Sequence, residues 1–269
     1  MANKGMEIKM SEDANFKNLV GSLNDIKRVI AVMSGKGGVG KSTVSALIAS
    51  TLAKSGFKVG ILDADITGPS QPRAFGLKNA NLTGTDFGIT PILTNSGIKM
   101  ISVNFMLKEE DDPVIWRGPL LAGAVKQFWE EVNWEDLDYL VVDLPPGTGD
   151  VPLTVLQTLP VSGLVIVSSP QDLAYMVVSK AVKMANKIQT PILGLIENMS
   201  ELICPHCSEH LKIFGESQGE ALAAKMNIKL LGGLPWDVRL NTLVDQGKVE
   251  EYYSAEMAAI VEEIIAKTE

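Results

Sequence analysis

Seven short apolar runs of strand length recur along the chain and predict the strands of a sheet. They span residues 28–33, 58–63, 98–103, 138–143, 163–168, 191–197 and 228–235. The runs are continuous rather than alternating, which is typical of strands that are covered on both faces in a parallel sheet. A buried, mainly parallel sheet is therefore the first expectation for this chain.

Helical patterns lie between these runs. In residues 42–56 the apolar side chains follow the i, i+3, i+4 spacing of a helix with one apolar side, at Val44, Leu47, Ile48 and Leu52. Comparable patterns predict helices at 118–132, 171–188, 216–226 and 254–267. Strands that alternate with helices predict an α/β fold with a doubly wound, mainly parallel sheet flanked by helices.

Composition and charge narrow the expected class of protein. Of the 269 residues, 46% are hydrophobic and 21% are charged, which is ordinary for a globular protein with a sizeable core. The formal net charge of −8 predicts no partnership with nucleic acid or with an anionic membrane surface. No apolar run approaches the roughly 20 residues that a membrane-spanning helix needs. Two cysteines are too few for a disulfide framework, so we expect a cytoplasmic location.

A phosphate-binding motif follows the first predicted strand. The segment VMSGKGGVGKST contains G-x-x-x-x-G-K-S from Gly35 to Ser42, between a predicted strand and a predicted helix, and that setting identifies a P-loop. Backbone N–H groups of such a loop surround phosphate oxygens at the positive end of the helix dipole. Lys41 is expected at the β- and γ-phosphates and the Ser42 hydroxyl at Mg²⁺. The predicted nucleotide-binding residues here are Gly35, Lys36, Gly37, Gly38, Val39, Gly40, Lys41, Ser42 and Thr43.

Acidic residues stand where two further predicted strands end. Asp63 and Asp65 lie at the end of the second strand, and Asp143 ends the strand 138–143, before a glycine-rich segment that reaches Asp150. Ligands of open α/β sheets bind at the carboxyl ends of the strands, and a carboxylate beside a P-loop completes the Mg²⁺ shell through water. Each of these aspartates could instead cap a helix or a turn, and for Asp150 the two interpretations are balanced.

All cysteine and histidine residues of the chain fall within seven positions of the segment ICPHCSEH, as Cys204, His206, Cys207 and His210. A C-x-x-C pair in a reducing compartment predicts metal or redox chemistry. The residues alone fit an iron–sulfur cluster and a tetrahedral zinc ion equally, with a turn that holds no metal as a third interpretation. A cluster usually takes four thiolates and one chain offers two, so the cluster interpretation predicts a homodimer with a shared site.

These motifs predict the domain organisation. Residues 1–24 are polar and lack the apolar core of a secretory signal, so they predict a mobile leader. Residues 25–269 predict a single P-loop ATPase domain, with a metal loop at 200–212.

The motifs resemble those of a known family. Lys36, the second lysine of GKGGVGKST, resembles the deviant Walker A motif of the SIMIBI class, which includes MinD, ParA and the nitrogenase iron protein. With DADITGPSQP, DLPPGTGD, SSPQDLA, ENMS and CPHC in that order, the chain closely resembles the Mrp/ApbC/NBP-type P-loop ATPases from about residue 28 to the C-terminal helix. The resemblance implies a MinD-like fold and a homodimeric ATPase that carries a [4Fe–4S] cluster to apo-proteins.

The resemblance also implies roles for the residues of the nucleotide site. Lys36 would reach the phosphates of a nucleotide in the other subunit, and Asp65 would orient the attacking water. The resemblance thus implies three catalytic residues: Lys36, Lys41 and Asp65. Asp63 and Asp143 would serve the Mg²⁺ ion. Slow ATP hydrolysis is expected.

Other implied roles lie outside the P-loop. Cys204 and Cys207 would bind the cluster, and Asn198, Pro235 and Asp237 would face the adenine ring. The alternative is a nucleotide-switched ATPase of MinD or ParA type that binds a partner and holds a structural zinc at the C-x-x-C loop. The acidic C-terminal segment EYYSAEMAAIVEEIIAKTE lacks the basic amphipathic character of the membrane-binding members.

Overall fold

The chain alternates between strands and helices, as its apolar runs predict. A computed structural model describes residues 24–65, 68, 70–77, 82–85, 88–102, 105, 118–170, 174–204, 206–207 and 209–269. The strands are β1 (Asp25–Ser34), β2 (Val59–Asp63), β3 (Thr83–Thr85), β4 (Gly88–Thr90), β5 (Ile92–Leu93), β6 (Lys99–Ser102), β7 (Asp136–Asp143), β8 (Gly163–Ser168), β9 (Ile192–Ile203), β10 (His210–Leu211) and β11 (Leu230–Trp236). The helices are α1 (Lys41–Lys54), α2 (Gln71–Ala74), α3 (Gly118–Glu131), α4 (Asp150–Thr158), α5 (Ala174–Lys187), α6 (Gly219–Met226), α7 (Val238–Asp245) and α8 (Ala255–Thr268), with a 3₁₀ turn at Val249–Glu251.

One large sheet organises these elements. Its strands follow the order β10-β9-β8-β1-β7-β2-β6-β5, and β11 also pairs with β9. All its pairings are parallel except β5 with β6 and β9 with β10, while β3 and β4 form a separate hairpin. The predicted α/β fold, a mainly parallel sheet flanked by helices, is confirmed.

The register of the central strands brings their carboxyl ends together. Asp143 of β7 is the partner residue of Val32 in β1 on one side and of Asp63 in β2 on the other. The apolar residues of these strands are almost completely buried, so the three strands are fixed in the core and their ends are fixed with them. The P-loop follows β1 directly, and helix α1 packs against β1, β2 and β7. The fold therefore places the P-loop beside Asp63 and Asp143.

The first described residue, Asn24, is tied to the sheet. Its side-chain amide donates a hydrogen bond to the carbonyl of Val132 at 2.9 Å, and its amide oxygen accepts one from the backbone N–H of Glu135 at 3.0 Å. Asn24 was predicted to end the mobile leader, and these two bonds make it part of the fold instead. The rest of the predicted leader, residues 1–23, lies outside the described residues.

Several features of the structure differ from the sequence predictions, among them the short strands β3, β4, β5 and β10 and the short helix α2. Strand β9, predicted over 191–197, continues to Ile203, and the glycine-rich segment after Asp143 leads into helix α4. Helix α7 follows Asp237 where no helix was predicted.

Among the helices that the structure describes, none has the length and apolar content to cross a membrane.

Candidate functional site

The P-loop, residues 35–40, connects β1 to α1 in a conformation that its glycines permit. Gly40, the residue before α1, has a φ of 76°, in the left-handed region that disfavours side chains. A Cβ atom at Gly40 would also stand 2.2 Å from the Nδ2 atom of Asn198. At Gly35 a Cβ atom would stand 2.0 Å from a methyl group of Val177 in α5. Gly40 is thus required by its backbone conformation and by Asn198, and Gly35 by its close neighbour Val177.

Lys41 is the centre of a buried charged cluster. Its Nζ atom lies 2.5 Å from Oδ1 of Asp143, 3.5 Å from Oδ2 of Asp65 and 3.1 Å from the hydroxyl of Ser42. Lys41 is 5% exposed, Asp65 7% and Asp143 0%. The predicted residues Lys41, Ser42, Asp65 and Asp143 are therefore brought together by the fold. Charge–charge interactions at such buried positions are stronger than at the surface because little water screens them.

Asp143 has protein donors on both carboxylate oxygens. Its Oδ1 atom accepts hydrogen bonds from Lys41 and from the hydroxyl of Ser45 at 2.9 Å, and its Oδ2 atom accepts one from Nε2 of Gln71 at 2.8 Å. The sequence analysis did not identify Ser45 or Gln71. Ser45 could have been found, because it follows Lys41 by one helical turn and so shares its face of α1. Gln71 lies in an irregular segment where no periodicity indicates burial.

Asp63 is completely buried next to Asp143. Its carboxylate accepts hydrogen bonds from the backbone N–H of Asp65 at 3.1 Å and from the hydroxyl of Ser102 at 3.2 Å. Burial, and next the charge of Asp143, raise the pKa of Asp63 well above its usual range, while Lys41 acts in the opposite direction. Three carboxylates and Lys41 thus form a buried cluster with an excess of acidic groups, whose oxygens could accept hydrogen bonds from the waters of a hydrated divalent cation.

Asn198 lies in β9 against the P-loop. It is 8% exposed, and its Nδ2 atom donates a hydrogen bond to the carbonyl of Val39 at 2.9 Å. The next residue, Met199, has a φ of 60° within the strand, which is unusual for a residue with a side chain. Asn198 therefore fixes one side of the P-loop, whatever contact it makes with a base.

The other residues predicted at the adenine ring lie at the end of β11. Leu234 is the partner residue of Asn198 in the parallel pairing of β9 and β11, so Pro235 lies beside Asn198 at the same end of the sheet. Asp237 caps helix α7, where its Oδ1 atom accepts from the backbone N–H of Arg239 at 2.7 Å. Its Oδ2 atom accepts from the hydroxyl of Tyr252 at 2.8 Å. The contact of Pro235 and Asp237 with adenine stays a prediction.

Lys36 lies in the P-loop, where the Ser34 hydroxyl donates to its carbonyl at 2.9 Å. Its side chain is half-buried in the single chain. The contact of Lys36 with the phosphates of a nucleotide in the other subunit stays a prediction.

The predicted metal loop at 200–212 is a β-hairpin rather than a loop. The end of β9 pairs with β10, so that Ile203 faces His210 and Leu202 faces Leu211. The backbone N–H of Cys204 donates to the carbonyl of Glu209 at 2.9 Å and closes the turn that contains both cysteines. We call residues 200–211 the cysteine hairpin; its Pro205 and Ser208 lie outside the described residues. The two cysteines thus stand at the tip of a hairpin.

The turn prepares Cys204 to act as a thiolate. The backbone N–H groups of His206 and Cys207 point towards its sulfur, and with the Cys207 thiol they lower the pKa of Cys204. Cys204 is half-buried, and Cys207 is exposed. Thiolates rather than thiols bind metals, so the lowered pKa of Cys204 favours the predicted metal-binding role, which itself stays a prediction.

His210 is engaged within the hairpin. Its Nδ1 atom lies 2.9 Å from a carboxylate oxygen of Glu201 on the facing strand. Over the described part of the chain, no three His, Cys, Asp or Glu side chains come close enough to share a metal ion. Within the described residues, a metal at Cys204 and Cys207 would therefore need further ligands from another molecule.

The sequence of this chain is similar to those of known P-loop NTPases and iron–sulfur proteins. The sequence model of the NUBPL iron-transfer P-loop NTPases, part of the ParA group, matches residues 25–269. The chain is 48% identical over 235 residues to the iron–sulfur cluster carrier protein of Clostridium perfringens, covering 85% of this chain and 82% of that one. It is 43% identical over 250 residues to the cytosolic Fe–S cluster assembly factor Nubp2 homolog of Anopheles gambiae, covering 90% and 96%.

Solved structures show the same fold. A nucleotide-binding protein of Archaeoglobus fulgidus, described in complex with ADP and with cobalt found in it, has a TM-score of 0.78 at 46% identity, covering 90% of this chain and 93% of that one. The cell-division ATPase MinD of Pyrococcus furiosus has a TM-score of 0.65 at 19% identity, covering 89% and 99%, and shares the fold alone. The match over residues 25–269 and the identities above 40% lead to one conclusion: this chain belongs to the NUBPL iron-transfer family of P-loop NTPases.

Proposed function

We propose that this protein binds and hydrolyses ATP, holds an iron–sulfur cluster between the cysteine hairpins of a homodimer, and transfers the cluster to apo-proteins. The observation that carries the proposal is the course of β9. This one strand contacts the P-loop through Asn198 and ends in the hairpin that presents Cys204 and Cys207. Relatives that are more than 40% identical are named iron–sulfur cluster carrier proteins, which supports the same function here. A cytoplasmic location stays a prediction.

The P-loop and the buried charged cluster around Lys41 supply the groups that ATP hydrolysis needs. Backbone N–H groups of the loop and Lys41 bind the phosphates, and water attacks the γ-phosphorus as the bond to the bridging oxygen breaks, giving ADP, phosphate and a proton. Asp65 lies near Lys41 at the rim of the cluster and orients the attacking water through its carboxylate. Lys36 of the second subunit is assigned to the developing negative charge, as the family resemblance implies.

The acidic cluster also fits a magnesium ion. Ser42 and the carboxylates Asp63 and Asp143 would hold the ion, the carboxylates through water molecules. When bound, the ion supplies positive charge to the β- and γ-phosphate oxygens.

The cysteine hairpin suits a cluster that must leave. Each chain supplies two thiolates and a cluster usually takes four, so two copies related by a two-fold axis would complete the shell of a [4Fe–4S] cluster. Ile203, Leu211 and Ile213, in and just after the cysteine hairpin, expose apolar side chains that a second copy would cover. Recipients of the cluster would be apo-iron–sulfur proteins, which approach the same exposed tip.

The two sites are connected by a short, continuous piece of strand. Asn198 and Cys204 are six residues apart in β9 and its hairpin, about 20 Å along an extended strand. A change in the P-loop on nucleotide binding would reach the hairpin through the bond from Asn198 to Val39. Such coupling is reciprocal, so a bound cluster would change nucleotide affinity by the same factor.

Replacement of Asp65 with alanine is expected to separate binding from delivery. The variant should bind ATP and load the cluster, because Lys41 keeps Asp143 as a partner, but hydrolysis and cluster transfer should both fall at least about tenfold, as for loss of a group that positions water. The matched control is Asp136→Ala, at an exposed position at the other end of the sheet. Transfer at the wild-type rate from an Asp65→Ala protein without ATPase activity would show that hydrolysis does not drive delivery.

Anaerobic reconstitution tests the proposal against the zinc alternative. The wild-type protein is purified without air, incubated with iron and sulfide, and analysed for iron, sulfide and zinc. Iron and sulfide bound in equal amounts, with the absorbance of a cluster, are expected. Stoichiometric zinc without uptake of iron would favour a nucleotide-switched ATPase with a structural metal.

A further inference from the structure

Gln71 is the first residue of the short helix α2 and is completely buried beside the acidic cluster. Its Nε2 atom donates to Oδ2 of Asp143 at 2.8 Å and to the backbone carbonyl of Ser42 at 2.8 Å. Its backbone N–H donates to Oδ2 of Asp63 at 3.3 Å. The residue thus touches the three residues that are assigned to the magnesium ion.

Among the residues that the structure describes, none donates a hydrogen bond to the amide oxygen of Gln71. In the described part of the chain, Oε1 is buried and makes no hydrogen bond. The orientation of the amide is fixed, because the opposite orientation would place Oε1 against two acceptors, the Asp143 carboxylate and the Ser42 carbonyl. A buried acceptor without a partner is costly, and such groups are rare in folded proteins. The orphaned oxygen therefore indicates a missing donor at this place.

A water molecule held by a magnesium ion is a donor of the required kind. Mg²⁺ keeps several of its waters in protein sites, and their hydrogen atoms point away from the ion towards acceptors. Asp143 is already assigned to such waters, and Gln71 is bonded to Asp143 and to the backbone of Ser42. Groups around the ligands of a metal site commonly orient them and tune its affinity.

We propose that Gln71 is a positioning residue for the magnesium ion of the nucleotide site. Its Oε1 atom accepts a hydrogen bond from a water of the magnesium shell, while its Nε2 atom holds Asp143 and Ser42 in place. The inference rests on the proposed ATP site and adds a residue to it that does not touch the metal or the nucleotide.

The effect of Mg²⁺ on ADP affinity tests this role. Calorimetry gives the Kd of ADP with Mg²⁺ and with EDTA for the wild type, for Gln71→Met and for the control Gln127→Met. Methionine has a similar length and no hydrogen-bonding amide, and the Gln127 amide bonds to Glu131 within its own helix α3. The Gln71 variant should bind ADP with Mg²⁺ about three- to tenfold more weakly and ADP with EDTA unchanged, because, of the bonds it loses, only the one at Oε1 depends on the ion. The Gln127 variant should match the wild type in both.

The outcomes separate this inference from the proposed site. Equal weakening with Mg²⁺ and with EDTA, or no weakening, overturns the inference while the site stands. A wild-type protein that binds ADP equally well with Mg²⁺ and with EDTA overturns the magnesium site and the inference together. The variant Gln71→Glu keeps an acceptor but loses the amide hydrogens. For each protein, the Kd of ADP with EDTA is divided by the Kd of ADP with Mg²⁺. A ratio for Gln71→Glu at least as large as that of the wild type supports the inference. A ratio as small as that of Gln71→Met contradicts it.

A measurement on the wild type removes any dependence on the folding of the variants. Glutamine labelled with ¹³C at Cδ reports hydrogen bonding to the side-chain oxygen. On addition of Mg²⁺ to the ADP-bound protein, the Gln71 signal should move downfield while the Gln127 signal stays in place. A Gln71 signal that does not move would overturn the inference.

Discussion

Replacing Lys41 with alanine should lower the affinity for ATP by about a hundredfold or more, because charge-assisted hydrogen bonds to the phosphates are lost. Lys41 is also the close partner of buried Asp143, at 2.5 Å, and of Asp65, at 3.5 Å. Without it, these carboxylates would repel the phosphates that the lysine attracts. Loss of attraction and gain of repulsion act in the same direction, so this is the largest effect on nucleotide binding that we expect from one substitution.

Calorimetry with ATP and Mg²⁺ measures this effect. The control is Lys58→Ala, which removes an exposed lysine whose ion pair with Asp136 is 3.6 Å long at the surface. Its ATP affinity should stay at the wild-type value. Removing one partner of a buried ion pair lowers the free energy of unfolding by about 3–5 kcal/mol, so unfolding curves must show that Lys41→Ala is folded at the temperature used. An unchanged ATP affinity in the folded variant would refute the assignment of the phosphate site.

Serine at either Cys204 or Cys207 should abolish cluster binding. The dimer would then keep two of four thiolates, and two thiolates do not close the usual shell of a cluster. In the Cys204→Ser variant, the N–H groups of His206 and Cys207 that lower the pKa of Cys204 are still present. They do not restore binding, because a serine hydroxyl is a poor ligand for iron. Both variants should leave ATP affinity without a cluster unchanged, because neither cysteine is among the residues assigned to the nucleotide site.

Iron and sulfide analysis after anaerobic reconstitution checks this prediction, together with sedimentation of the loaded protein. We expect about one cluster per dimer in the wild type, since the four-thiolate shell requires two chains. A matched control is Ser200→Ala, which removes a hydroxyl from the same hairpin without touching a cysteine. A full cluster in Cys207→Ser, or a wild-type cluster on a monomer, would contradict the shared site.

The sequence predicted the central strands well because their environment is simple. Strands β1, β7 and β8 are buried on both faces, so continuous apolar runs identify them without knowledge of their neighbours. The P-loop was predictable for a similar reason, because the local backbone conformation of the loop determines where its motif has glycine. The position of Asp143 beside the P-loop followed from the rule that functional groups gather at the carboxyl ends of parallel strands, whereas its ion pair with Lys41 was not predicted.

The course of β9 could not be predicted because tertiary pairing determines it. Residues 197–201 are mostly polar and typical of a loop, yet β9 pairs with β11 at Asn198 and again at Leu202, where it also pairs with β10. The register shifts between these two positions, where Met199 is left-handed. Helix α4 was not predicted, because the glycine-rich segment before it shows no helical pattern and the helix itself contains a proline. Pro152 lies in the first turn of α4, where a missing N–H costs little. Asp237 followed by a helix is an N-cap pattern that the interpretation as an adenine contact obscured.

Gln71 shows a different limit. Nothing in the local sequence indicates that a polar side chain between Ser70 and Pro72 is completely buried. Its importance appears only when the positions of Asp143 and Ser42 are known.

Cluster transfer tests the central proposal most directly. The reconstituted wild-type protein is mixed with apo-aconitase, ATP and Mg²⁺ without air, in the presence of an iron chelator, and the recovery of aconitase activity is followed over time. The account predicts recovery that is faster than with equal amounts of free iron and sulfide, and none from protein carrying Cys204→Ser. Recovery no faster than with free iron and sulfide would contradict the assignment of this chain as a cluster carrier.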